Sequence, residues 1–285
     1  MSTPITIVVP TYNAGNNFKK CAYMLLKQTA NITEIIVIDS SSEDKTPDIA
    51  KSFGFSVDII PKCDFGHGKT RQYALNKANT EIVVFMTQDA LLADQNSIDN
   101  IICFLQRDKN LAAVYGRQLP YLNTGVIGRF ARLYNYPDTS FVNTFEDIEK
   151  KGIKTAFLSD SFAAYKKSIL QNIGGFPKHV NFGEDTYIAA KLLLAGYKTG
   201  YCAEAMVYHS HDYGLYEDYL RSKIIGKFHK EEHWLLDIFG RAEGEGVKYV
   251  FKELEYLFDT GKIYLLPVAF LHNILRFIGY RIGLR

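Results

Sequence analysis

The stretch Thr80–Ala90, with the sequence TEIVVFMTQDA, is an apolar run that ends abruptly in polar residues. Ile82 to Met86 carry no alternating polar side chains, which is typical of a central parallel strand covered on both faces. Gln88 and Asp89 then fall at the carboxyl end of this strand, the edge at which ligands bind in open α/β sheets. A single Asp at such a position is more often a turn or capping residue, so its function depends on which other residues reach the same edge.

Short apolar segments alternate with amphipathic ones along the first half of the chain. Besides the segment just quoted, strands are predicted at Ile5–Val9, Glu34–Ile38, Ser56–Ile60 and Ala112–Gly116, and helices at Phe18–Gln28, Thr46–Phe53, Thr70–Ala78 and Ser97–Arg107. This alternation predicts right-handed βαβ units, that is, an α/β fold with a Rossmann-like, mostly parallel central sheet flanked by helices. Further along, we expect a strand at Ala156–Tyr165, a helix at Thr186–Ala195 and a strand pair at Tyr197–Val207.

The composition changes to long helical periodicity after His211. We therefore expect an α/β domain over residues 1–211 and a helical C-terminal extension over residues 212–285. The apolar run Ile263–Leu271 falls short of the roughly 17–25 residues that a spanning helix needs, and Pro267 interrupts it. Arginines alternate with apolar residues beyond it, which suits a tail lying in a membrane interface and suits equally well helices that pack on the main domain.

The overall charge and the cysteines exclude several classes of function. A formal net charge of +2 gives no general field for polyanions, so nucleic acid is not expected as a partner. The four cysteines are widely separated and show no metal-ligand spacing, which argues against a zinc site and a disulfide framework. The N-terminus shows no signal-peptide pattern, so a cytoplasmic location is expected.

Three predicted strand ends supply groups that suit a nucleotide. Pro10, Thr11 and Tyr12 follow the first strand, and the Tyr12 ring could stack on a base. Asp39 follows the second strand and could accept a hydrogen bond from a base or a ribose hydroxyl, and Asp89 could hold a divalent cation that bridges phosphates. Taken singly, each of these residues is also explained by turn chemistry.

The segment Phe65–Arg71 places His67, Lys69 and Arg71 at the start of a helix, where free backbone N–H groups already favour anions. It therefore predicts a phosphate site. The triplet GKT within it is not a P-loop, because Cys63 stands where that motif requires glycine.

Two further segments could supply a base and a metal ligand. Glu184 and Asp185 precede a predicted helix, where Asp185 could be the N-cap or a general base aimed at an acceptor hydroxyl, and Glu184 is the weaker candidate. His209 follows a strand and could complete a metal shell begun by Asp89. His211 could support these ligands without binding the metal, or it could simply be exposed.

Together these residues resemble the inverting family 2 glycosyltransferases of GT-A fold, over Ile5 to about His211. The resemblance is carried by VVPTYN at 8–13, IDSSS at 38–42 and GED at 183–185. The patterns FGHGKTR at 65–71 and TQDA at 87–90 resemble the bacterial rhamnosyltransferase group, which uses dTDP-L-rhamnose. Two positions depart from these patterns: Thr87 replaces the first acid of the usual D-x-D, and Lys69 replaces a glycine.

The resemblance implies a mechanism and partners. Residues 1–211 would be the catalytic domain, with Asp185 as the base and with Mg²⁺ or Mn²⁺ bound by Asp89 and His209. The residues that would contact the donor are Pro10, Thr11, Tyr12, Asp39, His67, Lys69, Arg71, Gln88 and Glu184. The acceptor would be a glycan or lipid-linked saccharide in cell-surface polysaccharide synthesis, met at the inner face of the plasma membrane, and a homo-oligomer is compatible with the sequence. The alternatives are a sugar-phosphate nucleotidyltransferase and a nucleotide-sugar-binding protein without catalysis.

Overall fold

One mixed sheet organises the residues that the computed structural model describes, 3–241 and 244–285. Within them the sheet has nine strands, with β3-β2-β1-β4-β8-β6-β9-β5 as neighbours in this order and β7 paired with β9. The strands are β1 (Ile5–Thr11), β2 (Ile32–Asp39), β3 (Ser56–Ile59), β4 (Ile82–Met86), β5 (Leu91–Leu92), β6 (Leu111–Leu119), β7 (Phe141–Asn143), β8 (Phe162–Lys166) and β9 (Lys198–Tyr208).

The α-helices alternate with these strands in the first half and follow one another in the last quarter. They are α1 (Gly15–Leu26), α2 (Thr46–Ser52), α3 (His67–Lys77), α4 (Ser97–Gln106), α5 (Val126–Asn135), α6 (Ile148–Lys151), α7 (Lys167–Asn172), α8 (Glu184–Leu194), α9 (Leu215–Glu231), α10 (Trp234–Phe239), α11 (Glu245–Asp259) and α12 (Leu266–Gly283). The predicted α/β architecture with helices in the C-terminal region is confirmed.

The parallel part of the sheet is built by the strands nearest the N-terminus. β1 pairs in parallel with both β2 and β4, and β2 pairs in parallel with β3. All five residues of β4 are buried, as their unbroken apolar run predicts. Because β1, β2 and β4 run the same way, Thr11, Asp39 and the residues after Met86 lie at one edge of the sheet.

The second half of the sheet mixes antiparallel and parallel pairs, a change that the sequence did not predict, and β6 and β9 form its parallel pair. β8 lies between β4 and β6 and is antiparallel to both, with Phe85 opposite Ala163. The strand predicted at Ala156–Tyr165 begins only at Phe162, because residues 152–156 form a 3₁₀ helix and a loop follows it. The strand pair predicted at Tyr197–Val207 is a single strand, β9, which pairs with β5, β6 and β7.

The chain divides into two compact units, which we describe separately. The first holds the sheet and contains the chain up to Leu119 together with Pro137–Phe145 and Ala156–His209; the second contains Pro120–Tyr136, Glu146–Thr155 and Ser210–Arg285. A continuous apolar core in the first unit includes the buried faces of β1, β4, α1 and α4. The expected functional division into residues 1–211 and 212–285 stays a prediction.

In the second unit, α9 and α12 pack closely through glycines. A Cβ atom on Gly226 would lie 2.3 Å from the carbonyl oxygen of Tyr280, and one on Gly279 would lie 2.4 Å from that of Tyr219. Any larger side chain at these positions would therefore clash with backbone. Gly283 approaches Lys223 in the same way, at 2.1 Å from its carbonyl oxygen.

The helix α12 differs from the sequence prediction for this segment. Pro267 lies in the first turn of the helix, where its missing N–H costs nothing, so it begins the helix instead of interrupting it. Ile263–Gly283 forms a helical stretch of 21 residues, and an 18-residue part of it has a mean hydropathy of 1.4 with only 17% of its residues buried. By length and composition alone, this segment could therefore cross a membrane.

Candidate functional site

One buried carboxylate ties together the loops that follow β1 and β2. Asp39 is fully buried, and its Oδ2 accepts hydrogen bonds from the hydroxyls of Thr11, at 2.8 Å, and Ser42, at 2.6 Å. Its Oδ1 accepts a third from the Ser42 backbone N–H at 2.8 Å. The structure thus brings together two residues predicted to bind a nucleotide, with Pro10 half-buried beside them. Their contact with a donor stays a prediction.

Gln88 holds the loop that carries Tyr12. Its Oε1 accepts a hydrogen bond from the Tyr12 backbone N–H at 2.7 Å, and its Nε2 donates to the Tyr12 carbonyl at 3.2 Å. The Nζ of Lys62 lies 4.5 Å from the centre of the Tyr12 ring and donates to its hydroxyl. Gln88 therefore acts as a positioning residue for Tyr12, and Lys62, which the sequence did not single out, adds a positive charge at this ring.

Asp89 and His209 lie next to each other in the first unit, as predicted. The His209 Nε2 is 3.5 Å from Asp89 Oδ2, and the imidazole is buried while Asp89 is half-exposed. On its other side, the His209 Nδ1 lies 2.9 Å from the Oε1 of Gln118, whose Nε2 donates to the Ser159 hydroxyl at 2.8 Å. In the tautomer protonated at Nδ1, His209 would donate to the Gln118 oxygen, and the lone pair of its Nε2 would face Asp89.

This pair has the chemistry of a divalent-cation site. Mn²⁺ binds readily to both a carboxylate oxygen and a neutral imidazole nitrogen, whereas Mg²⁺ would bind mainly to the carboxylate. The 3.5 Å between Oδ2 and Nε2 is close to the separation of about 3 Å between neighbouring ligands around an octahedral ion with bonds of about 2.1 Å. Two residues earlier, the buried hydroxyl of Thr87 has no hydrogen-bond partner within residues 3–241 and 244–285. The residues present therefore fit a cation that takes its other ligands from water and substrate.

A buried ionic network lies at the start of α3 and α8. The guanidinium of Arg71, on α3, is 3% exposed; its Nε lies 2.9 Å from Asp160 Oδ2, and one terminal nitrogen lies 2.9 Å from Glu184 Oε1. The Tyr165 hydroxyl donates to Asp160 Oδ1 at 2.5 Å. Arg71 is thus held by two carboxylates instead of being exposed to solvent, and Asp160 joins the site although no local pattern marked it.

Burial and mutual repulsion change the proton affinity of this network. Burial raises the pKa of Asp160 to about 6, against the favourable charge of Arg71. Burial, together with the negative charges of Glu184 and Asp160, raises the pKa of Asp185 to about 8. Three carboxyl groups therefore lie near one guanidinium, and their mutual repulsion favours proton uptake by the network. Such a carboxyl is poised to exchange a proton near physiological pH.

Asp185 is not the N-cap of α8. The cap is Gly183, in the left-handed conformation with φ 81°, and Glu184 and Asp185 are the first two helical residues. The interpretation of Asp185 as a capping residue is therefore wrong. Its Oδ1 accepts a hydrogen bond from the Thr186 backbone N–H at 2.8 Å, which fixes the carboxyl in the half-buried first turn.

Three other predicted residues have local partners. The imidazole of His67 lies against Arg71, with Nδ1 3.3 Å from a guanidinium nitrogen, and burial lowers the pKa of His67. Lys69 forms an exposed ion pair with Asp64 at 2.8 Å. His211 belongs to the second unit, where its ring stacks on Tyr213 with centroids 5.3 Å apart. Phosphate binding by His67, Lys69 or Arg71 stays a prediction.

Two curated relatives match almost the whole chain. An O-antigen chain rhamnosyltransferase of Salmonella typhimurium, RfbN, is 41% identical over 281 residues, which are 98% of this chain and 89% of the relative. The corresponding protein of Salmonella anatum, WbaN, is 40% identical over 280 residues, with 98% of this chain and 88% of the relative covered.

Solved structures share the fold at low sequence identity. A mannosyltransferase of Pyrobaculum calidifontis in complex with GDP-Man and Mn²⁺ superposes with a TM-score of 0.67 at 17% identity, over 99% of this chain and 88% of that one. TarS of Staphylococcus aureus with UDP-GlcNAc gives 0.59 at 17% identity, over 100% and 90%. The GT-A fold is thereby confirmed. Because the family described as "Glycosyl transferase family 2" also matches residues 6–174, this chain belongs to glycosyltransferase family 2 and is a glycosyltransferase.

Proposed function

We propose that this protein transfers L-rhamnose from dTDP-L-rhamnose to a glycan or lipid-linked acceptor during cell-surface polysaccharide synthesis, with inversion at the anomeric carbon. The observation that carries the proposal is the 41% identity to an O-antigen chain rhamnosyltransferase over 98% of this chain. The rhamnosyltransferase-like patterns around His67 and Gln88 support the same donor. A cytoplasmic location at the inner membrane face is part of this proposal.

In the proposed reaction, Asp185 acts as the general base. Its carboxylate takes the proton of the acceptor hydroxyl while that oxygen forms a bond to the anomeric carbon and the bond from this carbon to the diphosphate breaks. The pKa of about 8 makes Asp185 a stronger base than an ordinary carboxylate, although a smaller share is ionised at neutral pH. Glu184 and Asp160 maintain this raised pKa, and Arg71 holds both in place.

Donor binding is proposed at the sheet edge formed by β1, β2 and β4. The ring of Tyr12 would stack on the base, and the loop organised by Asp39 would hold the nucleoside. A Mg²⁺ or Mn²⁺ ion on Asp89 and His209 would neutralise the charge that develops on the leaving diphosphate. Gln118 would keep His209 in the tautomer that such an ion requires, by accepting the Nδ1 proton in a hydrogen bond.

The donor is tested by a panel of nucleotide sugars measured by thermal shift. A ligand present at about 100 times its Kd stabilises the folded state by about 2.7 kcal/mol, so dTDP-L-rhamnose with Mn²⁺ should raise Tm by several degrees. UDP-GlcNAc and GDP-mannose, the donors bound by the structural neighbours, are the matched controls. Stabilisation by UDP-GlcNAc alone would contradict the rhamnose assignment.

Catalysis is tested with Asp185→Asn, which keeps the shape of the side chain and removes its basicity. We expect turnover to fall by about 10²–10⁴, while the donor-induced rise in Tm is kept. Release of dTDP in the presence of oligosaccharide acceptors provides the readout. Near-normal turnover would remove Asp185 from its role, and pyrophosphate release from dTTP and a sugar phosphate would support a nucleotidyltransferase instead.

A further inference from the structure

The helix α12 presents its apolar side to solvent. Six large apolar residues recur at helical spacing on its outward side: Phe270, Leu271, Ile274, Phe277, Ile278 and Ile282. Their exposure runs from 37% for Ile274 to 66% for Phe277. In a water-soluble helix this stripe would face the core. We call these six residues the apolar face of α12.

The inward side of the same helix is polar and small. His272 Nδ1 and Arg276 both contact Asp218 Oδ2 of α9, each at 2.7 Å, and Asn273 donates to Glu253 of α11 at 2.6 Å. The glycines that allow α9 and α12 to approach each other lie on this side as well. Polar groups and small residues between helices, with large apolar residues outside, are the arrangement found where helices face lipid.

One end of the α9–α12 pair is strongly basic. Lys223, Lys227 and Lys230 of α9 line the same surface groove as Ile282 and Gly283 of α12. Arg281 and Arg285 are exposed at this end of α12, so five cationic side chains gather there. Glu231 is the acidic residue of the groove, and it pairs with Lys227 at 3.5 Å. We call Lys223, Lys227, Lys230, Arg281 and Arg285 the basic cluster.

We propose that the α9–α12 pair docks on an anionic lipid bilayer, with the apolar face of α12 in the acyl boundary and the basic cluster at the headgroups. The combination of features favours lipid over a protein partner. The apolar face extends along an 18-residue helix, which is about 27 Å at 1.5 Å per residue, and it ends in cations that complement anionic headgroups. A second copy of this chain whose α12 packed in parallel along the apolar face would bring the same cations together and be repelled at that end.

Vesicle co-sedimentation tests this proposal independently of the rhamnosyltransferase activity. The full-length protein is mixed with vesicles of phosphatidylcholine alone or with about a third of phosphatidylglycerol. We expect binding to the anionic vesicles that weakens as salt is added. Removing cations by Lys223→Gln and Arg281→Gln should lower the partition coefficient about fivefold per residue on anionic vesicles.

Two sets of substitutions test the apolar face. Phe270→Ser with Phe277→Ser should lower the partition coefficient more than a hundredfold, since each change removes a buried aromatic ring from the lipid. Leu26→Ser and Ile59→Ser remove comparably exposed apolar side chains of the first unit and should leave binding unchanged. The circular dichroism spectrum and Tm show whether each variant is folded.

A conservative variant keeps the proposal testable even if the serine variants misfold. Phe277→Trp retains the apolar face, and its added fluorescence should shift to shorter wavelength on anionic vesicles and be quenched by brominated phosphatidylglycerol. Absence of quenching, or wild-type binding by the folded Phe270→Ser, Phe277→Ser variant, would overturn the proposal. The proposal would also be overturned if the wild type were a dimer that does not bind vesicles and the Phe270→Ser, Phe277→Ser variant were a monomer. That result would indicate self-association through the apolar face of α12.

Discussion

Replacing Arg71 by methionine should destabilise the first unit severely. The substitution removes the guanidinium that lies 2.9 Å from both Asp160 and Glu184, and both carboxylates are almost fully buried. Removing one partner of a buried ion pair typically costs about 3–5 kcal/mol, because the remaining charge is left uncompensated. For a protein of this size each kcal/mol lowers Tm by roughly 2–4 °C, so we expect a fall of about 6–20 °C.

The pH dependence of the Arg71→Met effect follows from the network's raised pKa values. Asp160 has a pKa of about 6 in the folded protein, above its unfolded value, so the folded state binds the extra proton and loses stability as pH rises through this window. Without Arg71 this pKa rises further. The destabilisation, measured by urea unfolding followed by circular dichroism, should therefore be smaller at pH 5 than at pH 8.

The matched control is the triple variant Arg71→Met, Asp160→Asn, Glu184→Gln. It removes the positive charge together with both negative charges, so it should recover most of the stability that the single variant loses. It should not recover activity, since the environment of Asp185 is altered. Two results would refute the ionic network as the source of stability. One is a free energy of unfolding of Arg71→Met within about 1 kcal/mol of the wild type, and the other is a loss of stability that does not depend on pH.

Further predictions concern the base and the metal. The value of kcat/KM should rise with pH to a plateau above about 8, because the ionised form of Asp185 is the active base. Asp160→Asn should move this rise to lower pH, since it removes a nearby negative charge. A rise centred near pH 4 would contradict the assignment of Asp185 as the base. Treatment with EDTA should abolish transfer and Mn²⁺ or Mg²⁺ should restore it, whereas full activity of the treated enzyme would exclude a cation on Asp89 and His209. Gln118→Leu should raise the Mn²⁺ concentration needed for half-maximal activity by about 10–100-fold through loss of the His209 tautomer, and an unchanged requirement would show that Gln118 does not position this ligand.

The sequence predicted the features that depend on local patterns. The unbroken apolar run of β4 indicated a buried strand, which the structure confirms. The polar residues at its end indicated a ligand-binding edge, which stays a prediction. The proximity of Asp89 to His209, 120 positions apart, was expected because both residues follow predicted strands and have metal-ligand chemistry, and the family resemblance implied the same pair. Local patterns were misleading at Pro267, where the sequence suggests an interruption but a proline in the first turn begins a helix.

Residues whose chemistry arises only from long-range packing could not be predicted. Asp160 lies in the loop before β8, and only tertiary packing brings this loop to Arg71 of α3. Gln118 is one of several polar residues near a strand end, and its role arises only from the hydrogen bond between its amide and His209, 91 positions later. The raised pKa of Asp185 depends on its own desolvation and on the negative charges of Glu184 and Asp160, and no spacing in the sequence encodes the approach of Asp160.

The two hydrogen bonds between Gln88 and the backbone of Tyr12 make the two halves of the proposed donor site interdependent. Gln88 adjoins Asp89, so ordering of this strand end by a metal diphosphate also orders the loop that carries the Tyr12 ring. Such cooperativity between sites is reciprocal, and it typically amounts to about 5–150-fold in affinity. If the proposed function is right, thymidine and manganese diphosphate should each bind more tightly in the presence of the other. The intact donor should then bind with higher affinity than either fragment alone.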